Sequence, residues 1–360
     1  MSLRLDRVTR IVDGVRWLDD VAIELRPGSV NVLLGPTLAG KTSLLRMMAG
    51  LDRPTSGRVL VDDRDVTGIA LQKRSVAMVY QQFINYPSFT VYDNIASPLR
   101  RQGLGQGEID KRVRETAAVL HIEPFLGRLP AELSGGQQQR CAIARALVKQ
   151  ADLLLLDEPL VNLDYKLREE LRQELQSLFA RRSAIVVYAT TEPAEALIMG
   201  GEILVMSEGR ILQHGRTLDV YHRPASAEVA LNFSDPPINT IWGKVEDGHA
   251  VLGAGVRIPL SHHLQGLGGG RYRFGVRANH LAMQHRGHHD VAIPGEVELA
   301  EISGSETFVH VHHNDVSWVV QQEGVHSYAL GEAVRIHVDP ARLYVFAEDG
   351  TLAAAPERPA

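Results

Sequence analysis

The chain has little of what marks secreted, nucleic-acid-binding or membrane-spanning proteins. It contains one cysteine, Cys141, which excludes an intrachain disulfide and fits a reducing compartment. Its formal net charge of -5 at pH 7 excludes the strongly basic surface of a nucleic-acid-binding protein, so no nucleic acid is expected as a partner. The longest apolar stretches, such as 153–156 and 184–187, are far too short to cross a bilayer. If the protein works at a membrane, another chain has to hold it there.

The first two-thirds of the chain alternates strand and helix patterns. With 360 residues the chain is long for one domain, and 44% of its residues are hydrophobic, enough for a sizeable core. Strands that alternate with helices favour a mainly parallel sheet. The charges of Arg168 and its neighbours indicate a solvated helix face. The pattern predicts strands at 30–34, 153–156, 184–188 and 203–206, and helices at 41–49 and roughly 166–180.

The pattern changes near 234–237, where two adjacent prolines interrupt the chain. Beyond this point helix signals are scarce, and short alternating strands suggest a small β-barrel. We therefore expect an α/β domain over 1–234 and a smaller all-β, OB-like barrel domain over 235–360. The predicted barrel strands are 272–277, 295–302, 306–311, 318–321 and 333–338.

A glycine-rich loop follows the first predicted strand. Residues 35–42 match G-x-x-x-x-G-K-[ST], a loop whose backbone N–H groups converge on nucleotide phosphates at the start of a helix. Lys41 would add its charge at the β- and γ-phosphate oxygens, and the Thr42 hydroxyl would be a ligand of Mg²⁺. The residues predicted to bind the nucleotide are Gly35, Pro36, Thr37, Leu38, Ala39, Gly40, Lys41, Thr42 and Ser43. In loops of this kind the position of Leu38 is often a glycine. The difference is minor unless the backbone of Leu38 needs a positive φ.

Two acidic residues follow a run of four leucines and form the second half of this site. The buried strand at 153–156 would deliver Asp157 towards the metal, usually through water. Glu158 would polarise the attacking water as a general base. The alternative to these roles is a strand end with two solvated acids, and the motifs on either side argue against it.

Residues 133–140 read Leu-Ser-Gly-Gly-Gln-Gln-Gln-Arg and resemble the signature sequence of ATP-binding-cassette (ABC) ATPases. In that family the signature completes the nucleotide site of the opposite subunit. The Asn-Leu-Asp run at 162–164 resembles the loop that lines the dimer interface, and it brings Asp164 to the nucleotide. The resemblance places Ser134, Gly136 and Gln137 on the γ-phosphate held by a partner, and Gly135 is predicted to bind that nucleotide with them.

Three further segments resemble the importer branch of the family. The segment 79–81 matches the one whose glutamine, here Gln81, senses the γ-phosphate and Mg²⁺. The stretch 83–91 matches the surface that receives the coupling helix of the permease. Residues 274–281, with the pattern F-G-V-R-x-x-H-L, resemble the barrel signature of carbohydrate-type ATPases related to that of the maltose importer. The resemblance covers nearly the whole chain.

The resemblance implies a P-loop NTPase cassette with a helical subdomain over roughly 84–150 and a regulatory barrel. It implies ATP and Mg²⁺ as cofactors, and hydrolysis that powers uptake of a sugar, polyol or glycerol. The implied partners are transmembrane permease subunits, a second ATPase subunit and, indirectly, a solute-binding protein. The implied location is peripheral, at the cytoplasmic face of the inner or plasma membrane.

Three positions depart from the family pattern. The family places an adenine-stacking aromatic ring near Val12, and here Trp17 either supplies that ring after a local shift or is simply a sheet residue. The family histidine that contacts the γ-phosphate is replaced by Thr191, which is shorter and carries no charge. Pro193 then stiffens the start of the next helix. We still expect Thr191 to take the catalytic contact, together with Glu158 and Gln81.

These departures leave alternatives open. If the chain forms a homodimer, both sites have Thr191 in place of the histidine; if it pairs with a different ATPase, one site is fully equipped. We favour the hypothesis of a heterodimer in which this chain's own site hydrolyses slowly. Other readings are an importer ATPase for polyamines or metal ions, a soluble ABC ATPase of DNA repair or translation, and a non-catalytic subunit.

Overall fold

The computed structural model describes residues 1–161, 163, 165–180, 183–287, 289–314 and 316–358, with the backbone alone described at Ala254. The chain divides into two units, Met1–Thr217 and Leu218–Ala360. In the described residues, no helix is both long enough and apolar enough to span a membrane.

The first unit is built on a mainly parallel sheet. The strands of the whole first unit, in both of its sheets, are β1 (Leu3–Val12), β2 (Val15–Leu25), β3 (Val30–Leu34), β4 (Ser56–Val61), β5 (Arg64–Asp65), β6 (Val76–Val79), β7 (Leu153–Asp157), β8 (Ile185–Thr190), β9 (Glu202–Ser207) and β10 (Arg210–Arg216). Its helices are α1 (Lys41–Ala49), α2 (Val91–Arg101), α3 (Gln106–Val119), α4 (Gly135–Leu147), α5 (Tyr165–Ala180) and α6 (Pro193–Met199). The sheet order is β10-β9-β3-β8-β7-β6, with β10 antiparallel and the other pairs parallel. Every residue of β7 and β8 is buried, as expected for parallel strands covered on both faces.

The carboxyl ends of four strands meet at one edge of this sheet. Leu34 at the end of β3 pairs with Thr190 at the end of β8. Asp157 at the end of β7 pairs with Ala189, and Val79 at the end of β6 pairs with Leu156. Ligands of open α/β sheets bind outside such carboxyl ends, so this edge is where a site is expected.

A second, antiparallel sheet covers one side of the same core. Its order is β2-β1-β4-β5, and its buried side chains include Leu3, Leu5 and Leu18. These pack with α1 residues such as Leu44 and with the parallel strands in one hydrophobic cluster. Burial of this cluster fixes α1 and therefore the loop that precedes it.

The segment 84–150, predicted as a helical subdomain, contains α2, α3 and α4. Thr90 caps α2, since its side chain accepts a hydrogen bond from Asp93 N. The buried Asn94 amide donates to the carbonyl oxygens of Tyr86 and Phe89 at 3.1 and 3.0 Å. These bonds fix the loop in front of α2.

The second unit is all-β apart from short helices. Its helices are α7 (Thr217–His222), which starts at the boundary, and α8 (Ala227–Asn232). Its strands are β11 (Asn239–Glu246), β12 (His249–Leu252), β13 (Arg257–Pro259), β14 (Gly270–Val276), β15 (Leu281–Ala282), β16 (Val291–Ser303), β17 (Glu306–His313), β18 (Val316–Glu323), β19 (Ala333–Val338), β20 (Tyr344–Phe346) and β21 (Leu352–Ala354). They form two antiparallel sheets, β13-β12-β11-β14-β20-β21 and β15-β19-β16-β17-β18.

The two sheets of this unit share one core and are nearly closed into a barrel. Side chains from both sheets, including Phe274 and Trp318, lie in a single buried cluster. The Asn239 side chain joins the sheets, donating to Val319 O at 2.9 Å and accepting from Val319 N at 2.7 Å. One amide side chain therefore bonds to both backbone polar groups of Val319, as the backbone of a neighbouring strand would.

The units divide at Thr217, so residues 218–234 group with the barrel, whereas the sequence pattern suggested a boundary at 234. Arg277, which is 4% exposed, is one of the residues that join this segment to the barrel. Its guanidinium donates to Phe233 O at 3.0 Å, Ser234 Oγ at 2.6 Å and Tyr221 O at 2.9 Å, and it stacks on the Tyr221 ring at 3.8 Å. This is the arginine of the predicted barrel signature.

Candidate nucleotide-binding site

The predicted phosphate loop, residues 35–42, joins the end of β3 to the start of α1. Both glycines of this loop are sterically required. A Cβ at Gly35 would lie 2.2 Å from Met206 O, and Gly40 has a φ of +103°, with Trp17 O only 2.7 Å from where a Cβ would be. Leu38 has a φ of +68° and is 77% exposed, so it does adopt the left-handed backbone that favours glycine.

Lys41 is buried at the base of this loop. Its ammonium donates to Gly35 O at 2.8 Å and to Pro36 O at 3.0 Å, and only 5% of the side chain is exposed. The same Nζ lies 3.1 Å from Glu158 Oε1. The buried ammonium group of Lys41 therefore lies where the carboxyl ends of the strands converge.

The acidic end of β7 lies beside the loop. Asp157 is 3% exposed, and burial raises the pKa of its carboxyl, while a hydrogen bond from the Thr42 side chain acts in the opposite direction. Glu158 has a φ of +45°, and its backbone N–H donates to Ala189 O at 3.0 Å. The two neighbouring acids are thus fixed at different depths, with Asp157 against Thr42 and Glu158 against Lys41.

Gln81, just beyond β6, completes the group. Its side-chain amide donates to Glu158 Oε2 at 3.1 Å. Each oxygen of the Glu158 carboxylate therefore has its own partner, Lys41 on one side and Gln81 on the other. Residues from three separate strand ends meet at one carboxylate.

This set of groups fits a nucleotide with its metal. The tight turn at Gly35 and Gly40 and the start of α1 form a concave backbone segment of the kind that binds phosphate. Hydroxyl, carboxylate and amide oxygens from Thr42, Asp157 and Gln81 are the oxygen donors that Mg²⁺ prefers. Lys41 supplies the positive charge.

The segment with the threonine in place of the family histidine lies at the end of β8. Thr191 is half-buried and lines a small cavity together with Glu158, Val161, Thr190, Glu192 and Glu195. Pro193 is the first residue of α6, as predicted. Thr191 and Glu158 therefore face a common space.

The predicted signature residues lie at the start of α4. Ser134 caps this helix and accepts from Gln137 N at 3.4 Å, while Ser134 N donates to Gln137 Oε1 at 3.0 Å. Gly135 has open space around it, whereas a Cβ at Gly136 would lie 2.2 Å from Leu167 Cδ2. In the part of the chain that the structure describes, the side-chain hydrogen bonds of Ser134 and Gln137 join them to each other and not to the phosphate loop.

Some predicted residues lie apart or outside the description. Asp164 and its neighbour Asn162 are outside the described residues. Val12 is 38% exposed near the β1–β2 turn. Trp17 belongs to β2 and is half-buried, and its backbone carbonyl packs behind Gly40, which favours the sheet-residue alternative.

Two residues near Thr191 were missed or misjudged from the sequence. Glu195 on α6 is 4% exposed and bonded to Thr190 and Tyr188. Arg168, predicted on a solvated face, instead donates to Glu192 Oε1 at 2.6 Å with 23% of its side chain exposed. Helical spacing alone cannot reveal such contacts, because the partner comes from a different element.

The predicted permease-facing stretch presents apolar side chains. Ile84, Tyr86 and Phe89 are 60%, 40% and 39% exposed. The Tyr86 and Phe89 rings lie 5.3 Å apart, and the Arg145 guanidinium lies 4.8 Å from the Tyr86 ring centre. Arg145 also donates to Ile84 O. The stretch is therefore an exposed aromatic surface held from beneath by α4.

The chain is similar to known proteins over nearly its whole length. The family model described as ABC transporter matches residues 18–161, and the model described as TOBE domain matches residues 274–346. The chain is 35% identical over 98% of its length to the sn-glycerol-3-phosphate import ATP-binding protein UgpC of Yersinia pestis bv. Antiqua (strain Antiqua), covering 99% of that protein. It is 34% identical over 96% of its length to the protein of the same name from Escherichia coli (strain K12), covering 97% of it.

A solved structure adds a comparison of fold. It is the dimeric, post-hydrolysis state of the ATP-binding cassette MJ0796 bound to ADP and Pi. The TM-score is 0.55 at 29% sequence identity, and the match covers 60% of this chain and 98% of that one. The matched share is about that of the first unit.

Proposed function

Since this chain belongs to the ABC transporter family, as an ATP-hydrolysing subunit of an importer, we propose that it supplies one half of each of two Mg-ATP sites. The observation that carries this proposal is the Glu158 carboxylate held between Lys41 Nζ and Gln81 Nε2, each at 3.1 Å. A base, a cation and a polar sensor meet where three parallel strands end.

In the chain's own site the residues divide the work by chemistry. Lys41 and the backbone N–H groups of the loop bind phosphate oxygens, while Thr42, Asp157 and Gln81 hold the metal. Glu158 accepts the proton of the attacking water, and Thr191, which lines the same cavity, offers one neutral hydrogen bond. Bound Mg-ATP supplies the phosphoryl group and the divalent charge.

The signature segment, 134–137, serves the site of a second ATPase subunit. Its support is the arrangement of Ser134 and Gln137 at the amino end of α4, with polar groups bonded to each other and set apart from this chain's own loop. Asp164 belongs to the same proposed interface. The dimeric state of the related cassette supports the same arrangement.

The first test is ATP-driven association of the full chain carrying Glu158→Gln, which keeps the shape of the side chain but removes the base. A stable dimer by light scattering with Mg-ATP, and a monomer with Mg-ADP, would show that two copies of this chain form both sites and would contradict the heterodimer hypothesis. Lys41→Ala in the same background is the control and should stay monomeric. A monomer that demonstrably binds ATP would instead point to a different ATPase as the second subunit.

The permease is proposed to dock on the surface formed by Ile84, Tyr86 and Phe89. Exposed apolar area of this kind is typical of protein interfaces. It would hold the chain peripherally at the cytoplasmic face of the membrane, while a solute-binding protein acts at the other face.

For the solute we propose a glycerol phosphate or a similar polyol derivative. The support is identity of 34–35% over nearly the full length to two proteins named for sn-glycerol-3-phosphate import. Cells that depend on this chain should lose uptake of labelled sn-glycerol-3-phosphate when Glu158→Gln replaces the wild type. Unchanged uptake of this solute, with loss of uptake of a sugar, would exclude the proposal.

A further inference from the structure

A buried acid lies directly behind Thr191. Glu195 is 4% exposed, and one of its oxygens, Oε2, accepts from Thr190 Oγ1 at 2.6 Å and from Tyr188 OH at 3.1 Å. Tyr188 and Thr190 are themselves 0% and 2% exposed. Burying a carboxyl is costly unless it is well bonded, and such groups cluster at functional sites.

The hydrogen bonds lead from Glu195 to both neighbours of Thr191. Because the single proton of the Thr190 hydroxyl is donated to Glu195, its oxygen is left to accept from Glu192 N, at 3.0 Å. Thr190 O accepts from Gly35 N in the phosphate loop at 3.4 Å. The backbone after Thr191 is therefore held by a hydroxyl whose direction Glu195 sets, and the backbone before it is held by the bond to Gly35 N.

A second contact holds the same segment from outside. Arg168 Nη1 lies 2.6 Å from Glu192 Oε1, so Glu192 is bound through its backbone on one side and through its side chain on the other. Glu158, Thr191 and Glu195 line the same small cavity. Movement of Thr190 would therefore change the position of Thr191 relative to the general base.

We propose that Glu195 is a positioning residue for ATP hydrolysis, which acts through the Thr190 hydroxyl to hold Thr191 opposite Glu158. This inference rests on the proposed function, because it assumes that Thr191 contributes to turnover. In this proposal, the Tyr188 hydroxyl helps to hold the Glu195 carboxylate by donating a second hydrogen bond to it. It also accounts for the hydrogen bond between the buried side chains of Thr190 and Glu195, next to the part of the chain at Thr191 that lines the cavity.

The test compares Glu195→Ala with Glu195→Gln in the full chain, measuring kcat and KM for Mg-ATP together with the melting temperature. We expect Glu195→Ala to lower kcat by about tenfold to a hundredfold, since a small misplacement has effects of that size, with KM changed less than twofold. Glu195→Gln keeps an acceptor oxygen and should retain kcat within about threefold. Full kcat in a folded Glu195→Ala protein would overturn the inference.

A second variant covers the case in which Glu195→Ala does not fold. Thr190→Val preserves shape but removes the hydroxyl that links Glu195 to Glu192, and it should reduce kcat to a similar extent. Unchanged kcat in folded Thr190→Val would also overturn the inference.

A double-mutant cycle separates this inference from the proposed function. If Glu195 acts through Thr191, adding Glu195→Ala to Thr191→Val should change kcat less than twofold. If Thr191→Val alone leaves kcat unchanged, the proposed role of Thr191 fails and the inference fails with it. If Thr191→Val lowers kcat but Glu195→Ala lowers it further by its full factor, the inference fails and the proposed function stands.

Discussion

At the residue scale, Leu38 shows how much a backbone angle decides. The motif tolerates any residue at this position, but the structure gives Leu38 a φ of +68°. A left-handed conformation costs an L-residue with a side chain about 1–2 kcal/mol, and an exposed leucine recovers little of this by packing. The strain therefore lies within the predicted phosphate loop.

Leu38→Gly should raise the free energy of unfolding by up to about 1 kcal/mol, because relief of strain slightly exceeds the added freedom of the unfolded chain. Denaturant unfolding measures this. Leu218→Gly is the matched control, since Leu218 is also well exposed, at 61%, but lies in helix α7. The control should lose about 1 kcal/mol. Equal losses in both variants would contradict the strain at Leu38.

Thr191 leads to a second prediction at this scale. Thr191→His should raise the ATPase kcat by about tenfold or more, because a hydrogen bond from a charged donor is worth about 1.5–3 kcal/mol. Thr191→Asn, which adds a polar group without an imidazole, is the control and should give little gain. Unchanged or lower turnover with Thr191→His would mean that the site has been rebuilt around threonine.

Residues of the site could be predicted where a motif fixes their order along the chain. The roles expected for Lys41, Asp157 and Glu158 depend on local order, and the structure brings these three together. Glu195 and the partner of Arg168 could not be predicted, because the Glu195 contacts join α6 to β8 and the Arg168 contact joins α5 to the residue before α6. A lone glutamate in a helix carries no signal of its burial.

At the scale of elements, Gly136 sets how closely α4 approaches α5. A Cβ there would lie 2.2 Å from Leu167 Cδ2 and 3.3 Å from Leu163 Cδ2. The glycine is therefore needed for the packing of α4 against α5, apart from its proposed contact with a partner's nucleotide. A Cβ at the neighbouring Gly135 would meet no atom within 4 Å.

Gly136→Ala should therefore be less stable than Gly135→Ala by about 1–3 kcal/mol, the usual cost of overpacking. Denaturant unfolding of both variants measures the difference. Adding Leu167→Ala to Gly136→Ala makes room for the new methyl group and should recover part of the loss. Equal stability of the two alanine variants would show that α5 simply moves aside.

The elements themselves were predictable where the hydrophobic pattern was continuous. The strand at 30–34 and the helix at 41–49 match β3 and α1, and the strand at 333–338 matches β19. The antiparallel sheet of β1, β2, β4 and β5 was not predicted. Its strands have register shifts, and residues with positive φ, such as Arg7 and Asp20, interrupt the simple alternation that marks a strand.

At the scale of the whole molecule, stability should depend on pH through the second unit. Burial, helped by the nearby charges of Arg342 and Arg277, lowers the pKa of His280 from 6.5 to about 4. The unfolded chain therefore binds a proton more readily than the folded one. The stability due to neutral His280 is complete above pH 6.5 and is lost as the pH falls from 6.5 towards 4.

We expect wild type to lose about 1.4 kcal/mol more per pH unit than His280→Gln over this interval. Urea unfolding can be followed by tryptophan fluorescence in a Trp17→Phe background, where Trp242 and Trp318 report on the second unit. The difference between the two proteins should be constant above pH 7.5. Parallel pH profiles throughout would contradict the lowered pKa.

Helix α5 has a consequence for cooperativity. Its Leu167 packs against Gly136 of the signature segment, and its Arg168 pairs with Glu192 beside Thr191. In the proposed assembly, one helix thus contacts the signature segment, which serves the partner's nucleotide, and Glu192, which is next to Thr191 in the chain's own site. Thermodynamic linkage is reciprocal. If nucleotide at one site changes the free energy of binding at the other site through α5, nucleotide at the second site changes the free energy of binding at the first by the same amount.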